Sequence, residues 1–355
     1  IRKTLFEGNP RYRKDTWLVE LMREGKLKTS ADVETAVRRF VGSRRGNMSP
    51  NHNSKINSTA NTRILQFFRE YFGYHKAPTV FKDVETFKTI DGFKQFHNHS
   101  PHRMMYDTDT LILHILAEDK NVLYELLTTN KVYASYWSGT NSAEQIKKAG
   151  GNEKYAISHD LQSYNLNPIE HAYVADRGKK KALLAPEDQR CGVLTQPSWL
   201  VAHSGNFDND PVRRGKWIRE KLLAGSVMDI PINVDAQIPD DEHRTLRERF
   251  SVVHEEACWR CHKKMNPLGM PFEAYNHVGR HRDQEIGKPV DTSGEISYTG
   301  IEGLDGEVKN AREMLERIAK SDIARQSFVR HVFRYWMGRN EILSDSKTLI
   351  AMDKA

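Results

Sequence analysis

The segment Cys258-Trp259-Arg260-Cys261-His262 brings two of the three cysteines of this 355-residue chain next to a histidine. Two thiols separated by two residues can both reach one edge of a porphyrin and add to its vinyl groups, and the following residue can present an imidazole to the iron. The same residue types also serve in thiol redox pairs and in zinc sites. The motif is therefore compatible with three chemistries: covalent haem attachment, disulfide exchange and zinc binding.

The surrounding sequence favours the first of these. A structural zinc site needs four ligands, and the remaining cysteine, Cys191, stands alone far upstream, so histidines would have to come from elsewhere. A thioredoxin-like pair is expected near the start of a β-α-β unit, whereas this pair follows TLRERFSVVHEEA, a stretch that we interpret as one long helix. We therefore expect one covalent haem c, and no disulfide framework within the chain. Cys191 is interpreted as a buried small residue, with a link to another chain as the alternative.

Residues that follow the motif are candidates for contacts with the haem. Pro267 is expected to stop the helix, and its carbonyl would accept the N–H of the His262 imidazole, the type of bond that orients a metal-ligating histidine. Arg280 and Arg282 would pair with haem propionates through forked hydrogen bonds. Ordinary surface arginines are an equal alternative for these two.

The sequence leaves the distal side of the iron open. We take Met337 as the candidate sixth ligand, because a thioether suits an electron carrier and its helix is expected to pack near the haem. Met337 also belongs to an apolar helical stripe, so core packing is an alternative reading of it. The other possibilities are a water-bound or empty site, or one of the ligands Met270, His277, His281 and His331.

Apolar periodicity predicts the elements that must position these residues. Helices are expected near 30–42, with Thr29 or Ser30 as cap, near 62–72 with Gly73 at the end, and as a pair between 104 and 130 joined near 118–120. Pro211 is expected to begin another helix, and the segment 310–341 reads as two more. The fold class is therefore mainly α, a multidomain helical protein. The expected domains are 1–130, helical; 131–240, a middle domain with an extended connector; and 241–355, a c-type cytochrome-like haem domain.

Composition limits the partners. The formal charge of +7 and the pI near 9.1 suit an acidic protein partner. No run approaches the roughly 18 apolar residues of a membrane span, and the first residues lack the apolar core of a signal peptide. No zinc-finger, homeodomain or RNA-recognition signature occurs, so nucleic acid is not expected.

Several motifs occur in one order along the chain: CGVLTQ, DPVRRGKW, TLRERF, CWRCHKKMNPLGMPFEAYNHVGRHR and FVRHVFRYWMGR. Through these motifs the C-terminal two-thirds of the chain resembles the planctomycete-type cytochrome c family, large secreted proteins with adjoining domains of unknown function. The segment FFREYFG resembles the domain that precedes these motifs in the family, but more weakly. The resemblance implies that Cys258 and Cys261 carry the thioethers and that His262 is the proximal ligand. Family members often carry a further N-terminal cytochrome domain that is not in this sequence, so we expect a subunit or processed piece of a larger assembly.

Two function classes follow. The first is an extracytoplasmic bacterial c-type cytochrome, periplasmic or extracellular, that passes single electrons to or from a redox protein partner. The alternative is a haem enzyme with an open distal site, where His203 or Arg280 would assist chemistry on peroxide or another small ligand. A module with an inert structural haem is a third class.

Overall fold

The computed structural model describes residues 16–42, 59–82, 100–133, 163–165, 175–176, 179–180, 182–228 and 238–355. Helices make up most of this part of the chain, and its strands are short. The prediction of a mainly α protein is confirmed. The α-helices, numbered in chain order, are α1 (Thr16–Arg23), α2 (Ser30–Gly42), α3 (Thr59–Phe72), α4 (Ser100–Glu118), α5 (Val122–Thr128), α6 (Pro197–Ala202), α7 (Pro211–Lys221), α8 (Leu246–Arg249), α9 (Glu256–His262), α10 (Asn266–Gly269), α11 (Ala311–Ala319), α12 (Asp322–Met337) and α13 (Ser346–Lys354).

The strands of the described residues form antiparallel pairs, β1 with β4, β2 with β3, β5 with β6 and β7 with β8. The last pair matters for the site, because β7 packs on α10 and β8 packs on α11. The strands are β1 (Lys131–Val132), β2 (Ala175–Asp176), β3 (Lys179–Lys180), β4 (Leu183–Leu184), β5 (Gln284–Glu285), β6 (Lys288–Pro289), β7 (Gly294–Ile296) and β8 (Gly306–Val308).

The predicted cap of α2 and the predicted end of α3 are confirmed, whereas α3 begins at Thr59, three residues before the predicted start. At the start of α2 the Thr29 hydroxyl accepts a hydrogen bond from the Asp32 N–H at 3.2 Å, and the Asp32 carboxylate accepts one from the Thr29 N–H at 2.8 Å. This reciprocal capping box satisfies two backbone donors that have no partner inside the helix. Gly73 follows α3 with φ of 74°, the left-handed conformation that ends a helix at low cost. The predicted pair of helices between 104 and 130 is confirmed as α4 and α5.

One large hydrophobic cluster joins most of these helices. It includes Phe72 of α3, Leu111 of α4, Trp199 of α6, Ile218 of α7 and Leu315 of α11, all buried. Aromatic rings fill much of it, and the Trp199 indole lies 5.7 Å from the Trp217 indole at a steep angle. The cluster contains residues of all three predicted domains, so the packing continues across the predicted boundaries near residues 130 and 240. The domain boundaries stay predictions.

The segment before the cysteine motif differs from the single long helix that we predicted. The Thr245 side chain and Glu248 form a capping box at the start of α8, which makes one turn before the chain tightens into a 3-10 helix at Phe250–His254. Glu255 then adopts an extended conformation, and α9 begins afresh after it. The motif therefore lies on a short helix of its own.

The C-terminal helices are confirmed as α11 and α12, but the predicted apolar stripe of α12 is only partly buried. Phe333 is buried, whereas Met337 is 53% exposed. The reason is position: Met337 is the last helical residue, and Gly338 turns the chain with φ of 67°. The final helix α13, which we did not predict, packs on α12 and joins it through the Arg325–Asp353 ion pair at 2.8 Å.

Two sequence expectations concern the remaining parts. Of the extended connector predicted before residue 240, residues 229–237 lie outside the described ranges. Across the ranges that are described, every helix is too short or too polar to cross a membrane.

Candidate functional site

The cysteine motif forms the C-terminal part of helix α9, which begins two residues earlier at Glu256. Cys258, Cys261 and His262 are spaced i, i+3 and i+4, so the helix places all three side chains on one face. Each of the three is partly exposed, and both cysteines are free thiols. The structure thus places the three residues of the predicted haem motif on one helix face, with both thiols partly exposed.

The imidazole of His262 is held by a residue that the sequence reasoning missed. His262 Nδ1 lies 3.0 Å from Asn266 Oδ1, and Asn266 is only 3% exposed. We predicted the Pro267 carbonyl for this bond; the structure gives it to the side chain one residue earlier, because Asn266 is four residues beyond His262 and begins the next helix. The i+4 spacing was the signal available in the sequence. The contact of Pro267 with a haem stays a prediction.

Helix α10, which carries Asn266, is packed backbone to backbone against α7. A side chain at Gly215 of α7 would overlap the Met265 carbonyl, and a side chain at Gly269 of α10 would overlap the Pro211 carbonyl. Pro267 occupies the first turn of α10, where a missing N–H is tolerated. The sequence motifs RGKW and NPLG are therefore two halves of one close helix contact that fixes the position of Asn266.

A cavity of about 640 Å³ adjoins the motif helix. Its apolar wall includes Phe250, Trp259, Pro267 and Met270, and charged side chains line the rest: Arg247, Lys309, Glu295, Glu307 and Glu313. The volume lies within the roughly 300–1,000 Å³ typical of small-molecule and cofactor sites. The motif contributes Trp259 to this lining, whereas Cys258, Cys261 and His262 are not among the lining residues.

These surroundings fit an attached haem. Cys258 packs against a buried apolar cluster that contains Phe250, Val253 and Met270, which offers one hydrophobic wall beside a thiol. The Asn266 Nδ2 atom is buried and has no hydrogen-bond partner in the protein, so a polar donor remains unsatisfied at the edge of the cavity. Together with the free thiols and the oriented imidazole, the residues present are those that covalent haem requires.

The two arginines predicted for the propionates have different surroundings. Arg282 donates to the Glu273 carboxylate at 3.2 Å and to its backbone carbonyl at 3.1 Å, and Glu273 is buried. The Arg282 guanidinium is thus committed to an internal ion pair, which corrects the expectation of a free propionate partner. Arg280 lies in the turn closed by Asn276 Oδ1, which accepts its backbone N–H at 2.9 Å. Its pairing with a propionate stays a prediction.

The candidate distal ligands are scattered over the fold. Met337 ends α12, whose packing partners include α3, α7, α11 and α13, and its place on the iron stays a prediction. Met270 is buried in the cluster beside Cys258 and lines the cavity. His331 lies 5.3 Å from the Tyr71 ring, and burial lowers its pKa to about 4. Among Met337, Met270 and His331, it is Met270 that shares a described hydrophobic cluster with a motif residue, Cys258.

His203, which we considered as an assistant in peroxide chemistry, belongs to the core. Its ring stacks on Trp199 at 4.3 Å, and its Nδ1 lies 2.9 Å from the Trp199 carbonyl oxygen. Burial is the main reason why its pKa falls to about 3. At neutral pH the side chain is an uncharged, stacked core residue, and it belongs to the packing of α6.

A second feature missed by sequence reasoning is a fully buried arginine in the RGKW motif. The Arg214 guanidinium donates to the carbonyls of His203 and Phe272 and to Asn209 Oδ1, each at 3.1 Å. Burial lowers its pKa to about 10, so it remains charged at neutral pH. Arg214 thus ties α6, α7 and the 3-10 turn after α10 into one unit.

The third cysteine matches its predicted role. Cys191 is 2% exposed, and its thiol lies 3.4 Å from the Leu127 carbonyl oxygen. Burial raises its pKa to about 12.

In the described residues no three His, Cys, Asp or Glu side chains converge as a ligand set for a metal ion.

Comparison with known proteins identifies a class of domain for this region. Residues 190–285 match a domain associated with planctomycete cytochromes. The matching family model is PSCyt3, described as a protein of unknown function (DUF1588). The matched residues begin at Arg190, before α6, and include helices α6 to α10. No curated protein and no solved structure matches the chain.

Proposed function

We propose that this chain is an extracytoplasmic c-type cytochrome that binds one covalent haem and passes single electrons to or from a protein partner. The observation that carries the proposal is the arrangement on α9, where two free, partly exposed thiols and an oriented imidazole share one helix face. The match of residues 190–285 to a cytochrome-associated domain supports it.

Each residue of the motif has a separate task in this proposal. Cys258 and Cys261 would form thioethers with the vinyl groups, and His262 would ligate the iron through Nε2, since Nδ1 faces Asn266. The bound haem supplies a one-electron iron couple. The chain's own contribution is to hold the imidazole, to cover the porphyrin with apolar side chains such as Phe250 and Met270, and to keep water away.

The location and the partner follow from this cofactor and the charge. Bacteria attach haem to such motifs outside the cytoplasm, so we place the protein in the periplasm or outside the cell. A chain with a formal charge of +7 is suited to an acidic redox partner, because opposite net charges steer the encounter of two proteins.

A haem enzyme with an open distal site is the second candidate. One observation favours it: Met337, the expected sixth ligand, lies at the exposed end of α12, whereas a cavity of about 640 Å³ adjoins the motif. In this candidate, small ligands would reach the iron. His203 takes no part in it, because the side chain is stacked in the core.

Exported protein, made in a host that attaches haem c, tests the proposal. We expect one haem per chain by intact mass, a pyridine haemochrome spectrum of the c type, and reversible one-electron reduction in a voltammetric titration. Cys258→Ala and Cys261→Ala should each lose a thioether. Cys191→Ala is the matched control and should keep the haem, because its thiol is buried away from α9.

Two outcomes separate the alternatives. Native protein without a covalent c-type chromophore would overturn the haem proposal and return the thiol pair to redox chemistry. Carbon monoxide then distinguishes the two haem functions: a reduced spectrum that it leaves unchanged supports the six-coordinate electron carrier, and a shifted Soret band supports the enzyme with an open site.

A further inference from the structure

We infer that Asn266 is a positioning residue that sets the electron-donating strength of His262 and thereby the reduction potential of the haem. This inference rests on the proposed function. The relevant contact is that of Asn266 Oδ1 with His262 Nδ1 at 3.0 Å, made by a side chain that is 3% exposed.

The direction of the hydrogen bond follows from the ligand chemistry. An imidazole that binds iron through Nε2 carries its proton on Nδ1, so it needs an acceptor at that position. The amide oxygen of Asn266 is such an acceptor, and the amide nitrogen then points away, where it has no partner in the protein. A neutral acceptor gives the imidazole less anionic character than a carboxylate would.

The acceptor is held rigidly. Asn266 begins α10, which touches α7 through Gly215 and Gly269, and β7 packs on the same helix. The imidazole itself lies at the end of α9, which packs mainly on the 3-10 turn Phe250–His254. The hydrogen bond therefore couples a short, partly exposed helix to the close backbone contact of α10 with α7, and a fixed acceptor fixes the plane of the imidazole.

The chemistry predicts opposite shifts for two substitutions. In Asn266→Asp a charged acceptor makes the imidazole a stronger donor, which stabilises ferric iron and lowers the reduction potential. In Asn266→Leu, which has a similar volume and no acceptor, the imidazole becomes a weaker donor and the reduction potential rises. A side chain that only fills space would not produce shifts of opposite sign.

The test uses the full haem-loaded chain and compares midpoint potentials with melting temperatures. Asn276→Asp is the matched control: Asn276 is also buried, and its Oδ1 accepts backbone N–H groups of Val278 and Arg280. We expect the midpoint potential to increase in the order Asn266→Asp, wild type, Asn266→Leu, with Asn276→Asp at the wild-type value. If Asn266→Asp melts too low for isolation, the sign of the Asn266→Leu shift decides alone.

Three results would overturn the inference: shifts of the same sign in both variants, no shift in either, or an equal decrease in Asn276→Asp, which would indicate a general effect of added charge. Failure of the inference and failure of the proposed function are distinguishable. If the wild-type chain takes up no haem c, both the proposed function and the role of Asn266 are wrong. If the chains take up haem normally but their midpoint potentials do not follow the expected order, only the role of Asn266 is wrong.

Discussion

Gly269 lies so close to Pro211 that the Pro211 carbonyl oxygen occupies the space of a side chain at residue 269. A second contact of this kind joins the same two helices, α7 and α10: the Met265 carbonyl occupies the space of a side chain at residue 215. Both glycines belong to motifs that the sequence shows clearly, yet neither has a side chain that could bind a ligand. They allow α7 and α10 to touch, and this contact places Asn266 beside His262.

Substitution of either glycine should therefore separate the helices. We expect Gly269→Ala and Gly215→Ala each to lower the free energy of unfolding by about 3 kcal/mol or more, because the neighbouring atoms are backbone and cannot rotate away. Urea denaturation measures the change. Gly205→Ala is the control: a side chain there would lie 3.3 Å from the Asp208 carbonyl oxygen, a tight but tolerable contact, so its midpoint should stay nearer the wild type.

Arg214 should not be replaceable by lysine. Its planar guanidinium meets acceptors from three segments, and a lysine ammonium would leave buried carbonyl groups without donors. We expect Arg214→Lys to cost about 1–3 kcal/mol of unfolding free energy for each buried acceptor that is left without a donor. The adjacent Arg213, with 52% of its side chain exposed, supplies the control, and Arg213→Lys should change the denaturation midpoint little. Equal effects of the two variants would contradict the role of Arg214.

The three thiols should differ in reactivity in protein that carries no haem. In haem-free native protein, iodoacetamide should modify Cys258 and Cys261, which are partly exposed, and spare Cys191. Burial both blocks the Cys191 thiol and keeps it protonated, since it raises the pKa to about 12. Peptide mass mapping checks this, and the same reaction in urea should label all three. Rapid native labelling of Cys191 would mean that the α5–α11 region around it opens.

Stability should begin to fall at mildly acidic pH because of two histidines, His203, which is buried, and His331, which is half-buried. The pKa of His203 is lowered to about 3 and that of His331 to about 4, from an ordinary value near 6.5. At pH values between the lowered pKa of each histidine and its ordinary pKa near 6.5, the unfolded chain binds a proton that the folded chain does not. The free energy of unfolding therefore decreases as pH falls below about 6.5.

The variant His203→Phe keeps an aromatic ring on Trp199 and removes one of these groups. We expect the pH dependence of the unfolding free energy between about pH 4.5 and 6 to decrease by about one proton in this variant. Denaturant titrations at several pH values measure the slope. An unchanged slope would show that His203 is protonated without loss of the fold.

The sequence predicts much of this protein from local patterns. The periodicity of apolar residues, the cap at Thr29 and the turn at Gly73 correctly predict α2 and α3, because these features depend on residues only a few positions apart. The motif of Cys258, Cys261 and His262 likewise predicts its own geometry, since the i, i+3, i+4 spacing determines a shared face as soon as the segment is helical.

Other features arise only when distant segments pack together. Arg282 appears in the sequence as a free cation, but the fold pairs it with buried Glu273; Met337 belongs to an apolar pattern, but the helix ends at it and leaves it exposed. The sequence by itself determined which side chains are available for the proposed attachment of a haem. Only the tertiary structure decided that Asn266 holds the imidazole, because that bond depends on the backbone contact of α7 with α10, and such a contact is set by the packing of the whole core.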